Sequence, residues 1–128
     1  MSGKPWVYIA SPYTKGDCAI NVRTQMVYFD HLLTLGVVPI APLYSHFQHM
    51  AFPRPYQDWI NLDLEVIQRC DACLRLTALH VYADGSVYQQ RESSGADGEV
   101  AECLRLGKPV FHSVEEVADW LADREASR

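Results

Sequence analysis

The sequence predicts a single α/β domain built on a mostly parallel sheet, and three observations lead to this prediction. Short apolar runs alternate along the chain with helical patterns, as they do when crossover helices join parallel strands. The chain has 128 residues, of which 48% are hydrophobic, enough for one ordinary domain with a buried core. It contains no internal repeat or domain boundary. The predicted domain therefore spans residues 1–128, with its core in about 6–122.

The first half of the chain contains two predicted strands and one helix. The apolar run WVYIA at Trp6–Ala10 predicts a buried strand. Apolar residues three or four apart over 22–33 share one helical face, and Gly36 is a natural end for that helix. Residues 37–41 predict a second strand. Residues 42–55 contain three prolines and no clear period, so we expect a long loop there.

The second half continues the same alternation. In chain order it predicts a helix at 56–69, a strand at 71–76, a long loop at 77–95, a helix at 98–106 and a strand at 109–112. Ser113 and Glu116 form a capping box, which predicts the start of a last helix. This helix is expected to run from Val114 to about Ala122, with a frayed tail from Asp123 onward.

Strands that alternate with helices form a parallel sheet with right-handed crossovers. The arrangement predicts a flavodoxin- or Rossmann-like three-layer sandwich with a mostly parallel sheet of four to five strands. Such sheets bind ligands beyond the carboxyl ends of the strands, where the strand order reverses. The segments 11–17, 42–55 and 77–97 all follow predicted strands. We therefore expect them to meet at one edge and to form the binding site.

Composition excludes some classes of function. The formal net charge is −5, which disfavours a nucleic acid polymer as partner but is compatible with one nucleotide held by local donors. No apolar run reaches the roughly 18 residues needed to cross a bilayer, so we expect no membrane association. The first residues lack the apolar stretch of a signal peptide, which favours a cytoplasmic location.

The four cysteines do not resemble a disulfide framework in a chain of this size. Cys70 and Cys73 form a C-x-x-C pair, which is compatible with a redox or zinc site. A zinc site needs a second pair at suitable spacing, and the sequence has none. Cys73 also falls in a predicted buried strand, so we favour small apolar core residues.

Two histidines, His46 and His49, lie in the segment SHFQH. This spacing on a helix permits metal binding, but no acidic third ligand is apparent. A loop in which Tyr44, His46 and Phe47 stack on an aromatic ligand is the favoured interpretation. We therefore predict neither a metal nor an organic cofactor.

Three groups are candidates for catalysis. Tyr8 lies near the end of the first predicted strand, Asp63 lies in the helix before the third strand, and Glu99 opens the helix after it. Two carboxylates in one cleft suit glycosyl chemistry. Each also has a simpler interpretation, in which Asp63 is solvated on a helix surface and Glu99 stabilises a helix N-terminus.

Three segments, in order, resemble the nucleoside 2-deoxyribosyltransferase-like family, which includes nucleoside 5'-monophosphate N-glycosidases. They are VYIASPYT, NLDLEVIQRCDACLRL and SSGADGEVAECLRLGKPVF, and the resemblance covers roughly residues 6–112. It implies that Glu99 attacks C1' of the sugar and that Asp63 protonates the departing base or positions the sugar. It further implies that Tyr8 orients Glu99, with Tyr13 as the alternative tyrosine, and that the protein is a homodimer.

Ser93 distinguishes two branches of that family. Six residues before the nucleophile, transferases that use free nucleosides tend to carry an acid, and hydrolases of monophosphates tend to carry a serine. A hydroxyl at this position favours a phosphate, whereas a carboxylate repels it. The other substrate-binding residues that we predict are Ala10, Ser11, Tyr13, Lys15, Gly16, His46, Trp59 and Gly95, with the 11–16 backbone completing a phosphate pocket.

The sequence therefore predicts an N-glycosidase that hydrolyses a nucleoside 5'-monophosphate through a covalent intermediate on Glu99. A deoxyribosyltransferase that exchanges bases, and a nucleotide-binding module without turnover, remain as alternatives.

Two features of the sequence depart from the pattern of the family. The turn SPYTKG replaces a usually glycine-rich turn, and Asp97 stands two residues before Glu99, where relatives often have a small residue. A second carboxylate that close would raise one pKa of the pair.

Overall fold

The computed structural model describes residues 3–127 as an α/β fold with a four-stranded sheet, a separate two-stranded sheet and five α-helices. Its elements are β1 (Trp6–Ala10), α1 (Cys18–Leu35), β2 (Val38–Ile40), α2 (Ser45–Ala51), α3 (Tyr56–Ile67), β3 (Ala72–Arg75), β4 (Ala78–Val81), β5 (Val87–Gln90), α4 (Ser94–Arg105), β6 (Val110–Phe111) and α5 (Val114–Ala126). A short 3-10 turn at Pro42–Tyr44 precedes α2.

The main sheet has the strand order β2-β1-β3-β6, and all its neighbouring strands are parallel. β4 and β5 form an antiparallel hairpin that connects β3 to α4. The chain passes from β1 to β2 on one side and then returns to β3 on the other. The strand order therefore reverses between β1 and β3, and the carboxyl ends of these two strands are the expected place for a ligand. The predicted α/β class with a mostly parallel sheet is confirmed.

The side chains of β1 alternate between two hydrophobic cores. Val7 and Ile9 join a core with residues of α1 and α5, while Tyr8 and Ala10 join a second core with residues of α3 and α4. All four are fully buried. Burial on both faces is the reason why this central parallel strand is a continuous apolar run.

The end of α1 at Gly36 and the cap of α5 at Ser113 are as predicted, and Asp17 is a further cap that was not predicted. The Asp17 carboxylate caps α1 by accepting from the Ile20 amide, and Gly36 ends that helix in the left-handed conformation with a φ of 94°. Ser113 caps α5 and accepts from the Glu116 amide, 3.1 Å away. Within residues 3–127, no helix combines the length and the apolar character needed to cross a membrane.

Two segments predicted as loops contain regular structure. Residues 42–55 include the 3-10 turn and the helix α2. No residue of α2 is buried, so this helix has no buried apolar face that would give a helical period in the sequence. Residues 77–95 include the hairpin, in which His80 points inward and Leu79 points outward. With a histidine inside and a leucine outside, the strand lacks the usual pattern in which the buried positions are apolar and the exposed ones polar. The Asp84-Gly85 dipeptide, with Gly85 at a φ of 86°, marks the hairpin turn.

Two predicted helix boundaries are also wrong. α4 begins at Ser94, four residues before the predicted start at Gly98, because its first turn is rich in glycine and lacks a helical apolar period. α5 continues to Ala126, so the predicted frayed tail from Asp123 is helical as far as Ala126, and Arg128 lies outside the described residues. That last turn consists largely of good helix formers, which extend the helix without apolar contacts.

The C-x-x-C pair is part of the core, as predicted. Cys70 and Cys73 are both buried in the cluster that joins β1 to α3 and α4. The Cys70 thiol donates to the carbonyl oxygen of Val66 at 3.4 Å. Burial raises the pKa of Cys70 to about 12, so its thiol stays protonated and unreactive at neutral pH.

Candidate functional site

A buried contact between Tyr8 and Glu99 lies near the point where the strand order reverses. Tyr8 is on the central strand β1, and its hydroxyl donates a hydrogen bond to Oε2 of Glu99 on α4. The side chain of Tyr8 is fully buried and Glu99 is only 8% exposed. A carboxylate is rarely buried to this degree without a function or a charged partner.

The position of Glu99 on α4 removes the simpler interpretation of this residue. The buried residues of α4 are Ala96, Glu99 and Cys103, whose spacing puts them on the face that packs against the sheet. Because the helix begins at Ser94, Glu99 lies in its second turn. Stabilisation by the helix dipole is confined to the first turn, so it does not explain a buried carboxylate here.

Asp63 of α3 faces the same small cavity as Glu99. The cavity has a volume of about 160 Å³ and is lined by Ile60, Asp63, Leu64, Ser94, Gly95, Gly98 and Glu99. Asp63 is half-buried, so it is not the freely solvated helix residue of the simpler interpretation. Two carboxyl groups from different helices thus converge on one space, which we call the carboxylate cavity.

Burial changes the protonation of this pair. It raises the pKa of Glu99 to about 8; the hydrogen bond from Tyr8 opposes this rise, and the charge of Asp63 adds to it. Burial also raises the pKa of Asp63 to about 7. The pKa of Tyr8 is raised too, by burial first and then by the charge of Glu99, so its hydroxyl remains a donor. Between about pH 7 and 8 the two carboxyl groups therefore hold one proton between them, and Glu99, with the higher pKa, is its main site.

Tyr56, at the start of α3, is a site residue that the sequence analysis missed. A Cβ atom added to Gly95 would lie 2.8 Å from the Tyr56 hydroxyl oxygen, so a larger residue there would displace the exposed Tyr56 side chain. Burial and the charges of Glu99 and Asp63 raise the pKa of Tyr56. Its position seven residues before Asp63 places both side chains on one helix face, a signal available in the sequence.

A second cavity, which we call the aromatic cavity, adjoins the first through Tyr56. Its volume is about 290 Å³ and it is lined by Tyr13, Leu43, Ser45, His46, His49, Arg54, Tyr56 and Trp59. Nδ1 of His46 lies 2.5 Å from the hydroxyl of Tyr13, and Trp59 donates from Nε1 to Nδ1 of His49 at 2.8 Å. Within residues 3–127, no three His, Cys, Asp or Glu side chains are arranged to hold a metal ion.

Three predicted substrate-binding residues, of which Ser11 and Ser93 are the ones predicted to bind the phosphate, lie outside both cavities. Ala10 ends β1, and its carbonyl oxygen accepts from the Leu76 amide at 2.8 Å. Ser11 is buried, and its hydroxyl accepts from Nε2 of Gln25 at 2.8 Å. Ser93 caps α4 and accepts from the Ala96 amide at 3.4 Å. These bonds use oxygen lone pairs, so both hydroxyl protons can still be donated.

The turn at Lys15 and Gly16 is held between α1 and the hairpin. The Asn21 side-chain amide donates to the carbonyl oxygen of Lys15 at 2.7 Å. Gly16 has a φ of 77°, and a Cβ atom there would lie 2.5 Å from Cε1 of His80 on β4. Both residues are exposed, and neither lines the carboxylate cavity or the aromatic cavity. The hairpin therefore fixes the turn predicted to bind phosphate.

Asp97 does not form a pair with Glu99, so the expectation of a raised pKa is wrong. Residues two apart on a helix project about 200° apart. Oδ1 of Asp97 is 3.0 Å from Nη2 of the buried Arg75, whose hydrogen bond lowers the pKa of Asp97. An arginine inside the predicted apolar strand 71–76 was the sequence signal for such a partner.

The structure thus brings Asp63, Gly95 and Glu99 to the carboxylate cavity, with Tyr8 bonded to Glu99 behind it, while three other predicted site residues line the aromatic cavity. Those three are Tyr13, His46 and Trp59. Comparison of the chain with models of known protein families gave no match, and comparison with curated proteins gave none either. The assignment of function rests on the geometry of the two cavities and on the sequence motifs.

Proposed function

We propose that the protein is an N-glycosidase that hydrolyses the N-glycosidic bond of a nucleoside or deoxynucleoside 5'-monophosphate to free base and sugar 5-phosphate. The observation that carries the proposal is the buried Glu99, held by the Tyr8 hydroxyl and sharing a cavity with Asp63. Glycosidases that retain configuration use such a pair of carboxyl groups as nucleophile and acid. Raised pKa values keep one proton on the pair between about pH 7 and 8.

The reaction proceeds in two balanced steps. In the first, the shared proton must lie on Asp63 rather than on Glu99; the Glu99 carboxylate then forms a bond to C1' of the sugar as the bond from C1' to the base nitrogen breaks, and the proton goes from Asp63 to the base. In the second, Asp63 takes a proton from water as the water oxygen attacks C1' and releases Glu99. Tyr8 holds Glu99 in one orientation through both steps.

The aromatic cavity suits the departing base. Aromatic side chains stack on the flat face of a nucleobase with little regard to its identity. Trp59 and Tyr13 line this cavity, and Tyr56 stands between it and Glu99, so the scissile bond would lie beside Tyr56. In this proposal the hydroxyls of Ser93 and Ser11 donate to the 5'-phosphate.

The proposal also includes finer features: a sandwich fold and a cytoplasmic location, which the sequence pattern predicts, and a homodimer, which the resemblance implies. We assign the fold to the flavodoxin- or Rossmann-like three-layer sandwiches, because helices cover both faces of a parallel sheet with reversed strand order. We further propose a homodimer located in the cytoplasm. Size-exclusion chromatography with light scattering tests the dimer directly.

A panel of nucleosides and 5'-monophosphates, with and without a second base, tests the proposed reaction. We expect free base and sugar 5-phosphate in equal amounts from a monophosphate, identified by chromatography and mass spectrometry. Base exchange without net release of sugar would instead establish a transferase. Nucleotides that bind and stay intact after long incubation would establish a binding module.

Ser93→Asp should reduce kcat/KM for monophosphates by roughly tenfold or more relative to kcat/KM for nucleosides, because a like charge near the phosphate repels it. Aspartate caps a helix as well as serine does, so α4 should keep its start. Ser113→Asp makes the same change at the cap of α5 and should leave both substrates unaffected. Equal losses for the two substrates in Ser93→Asp would contradict a phosphate contact at this residue.

The pH profile of kcat/KM should be bell-shaped, with its maximum between the pKa of Asp63, about 7, and that of Glu99, about 8. The reacting pair needs one proton in total, and that state dominates between the two values. Activity should fall on the acid side as both groups protonate and on the alkaline side as both ionise. Asp63→Asn should remove one limb of the profile; a residual bell of unchanged shape would exclude Asp63 from it.

A further inference from the structure

A third cavity lies on the opposite side of α4 from the carboxylate cavity. We call it the polar cavity. Its volume is about 740 Å³, and the residues that line it include Arg75, Thr77, Gln89, Arg91 and Asp97. α4 presents residues 97 and 100 to this cavity, and residues 94, 95, 98 and 99 to the carboxylate cavity. The helix therefore separates two spaces of different chemistry.

The guanidinium of Arg75 is held rigidly at the polar cavity. Its Nη1 donates to the Leu76 carbonyl oxygen, and its Nη2 donates to the Arg91 carbonyl oxygen and to Asp97. Arg75 is only 7% exposed, so little motion remains to its side chain. A guanidinium has five N–H donors, and these three bonds leave two for a ligand. These two, the Nε–H and one Nη1–H, lie on different sides of the group, and each can donate one hydrogen bond to an oxygen of an anion.

The described side chains that line the polar cavity carry a formal excess of one positive charge, in a protein with a net charge of −5. Arg75 and Arg91 outnumber the single carboxylate of Asp97 on its wall. The carboxylate cavity has the opposite character, with two acidic groups and no basic side chain. A small anion is therefore attracted to the polar cavity and repelled from the carboxylate cavity.

We propose that the polar cavity is a second ligand site, which binds a small phosphate-bearing anion between Arg75 and Arg91. The hydroxyl of Thr77 and the side-chain amide of Gln89 supply further uncharged donors at the same wall. The volume admits a phosphate group together with an attached sugar-sized fragment. This site is distinct from the proposed catalytic one and does not depend on the hydrolase activity.

An NMR titration of the 15N-labelled protein at constant ionic strength tests this site. Inorganic phosphate and glycerol 3-phosphate should each give saturable shifts of the backbone amides of Thr77, Gln89 and Arg91. Tighter binding of glycerol 3-phosphate would identify a phosphomonoester as the preferred ligand, and equal binding would identify phosphate itself. Either result supports the proposal.

Arg91→Gln should weaken phosphate binding by at least roughly fivefold, because it removes one of the two cations while keeping the backbone carbonyl that Arg75 uses. Arg69→Gln is the matched control, since Arg69 is an exposed arginine paired with Glu65 on α3. It should bind phosphate as the wild type does. Thr77→Asp, a change at an exposed residue, should abolish binding by adding a charge.

Three results would overturn the second site. They are shifts that do not saturate, equal affinity in Arg91→Gln and wild type, and shifts confined to residues 11–16 and the carboxylate cavity. The last result would place the anion in the proposed catalytic cleft. Because no turnover is measured, a failure of the hydrolase proposal would leave this titration unaffected, and the two outcomes stay separate.

Discussion

Glu99→Gln should lower base release from a nucleoside monophosphate by roughly three orders of magnitude or more, because it removes the nucleophile. The amide keeps the size of the carboxylate and an oxygen that accepts from the Tyr8 hydroxyl. Loss of activity would then reflect chemistry rather than a collapsed site. Release of free base, followed by chromatography at saturating substrate, measures the effect on kcat directly.

Glu102→Gln is the matched control for this experiment. Glu102 lies on the same helix but pairs with Arg105, 2.6 Å away, outside the carboxylate cavity. This variant should release base at the wild-type rate. If Glu99→Gln also kept the wild-type rate, Glu99 would not be the nucleophile, and the proposed function would lose the observation that carries it.

Much of the fold was predictable because its signals are local. The apolar run Trp6–Ala10, the end of α1 at Gly36 and the cap at Ser113 each depend on a few neighbouring residues. The hairpin was missed because its register reverses the usual pattern. His80 faces inward and bonds to Asn21 of α1 at 3.1 Å, a contact between residues 59 apart in sequence. The spacing of apolar residues along the sequence does not reveal a contact between residues so far apart.

The site was predictable in part for a similar reason. The motif around Glu99 and the helix that carries Asp63 are each a contiguous stretch of the sequence. Both carboxyl groups could therefore be proposed as site residues from the sequence. Their raised pKa values arise from burial, which depends on how α3 and α4 pack. The Tyr56 hydroxyl packs against Gly95, which lies on a different helix. This contact depends on how α3 and α4 pack together, so neither stretch of sequence shows it alone.

Glu99→Gln should also increase the free energy of unfolding, and the increase should grow with pH. An unperturbed glutamate has a pKa of 4.5, whereas burial raises the pKa of Glu99 in the folded protein to about 8. Between these values the folded state holds a proton that the unfolded state has released. The free energy of unfolding of the wild type therefore falls as pH rises through this window. Glutamine does not titrate, so the variant avoids this loss.

The stabilisation by Glu99→Gln should be small at pH 5 and reach about 2–4 kcal/mol at pH 9, since one pKa unit corresponds to about 1.4 kcal/mol. Urea unfolding at pH 5, 7 and 9 measures it. Glu102→Gln provides a control of opposite sign. The hydrogen bond from Arg105 lowers the pKa of Glu102, so the contribution of Glu102 to the free energy of unfolding is lost as pH falls. A difference between Glu99→Gln and wild type that is constant with pH would contradict the raised pKa. A difference that grows would mean that the fold keeps a destabilising carboxylate at this position, which is expected when the group serves function rather than stability.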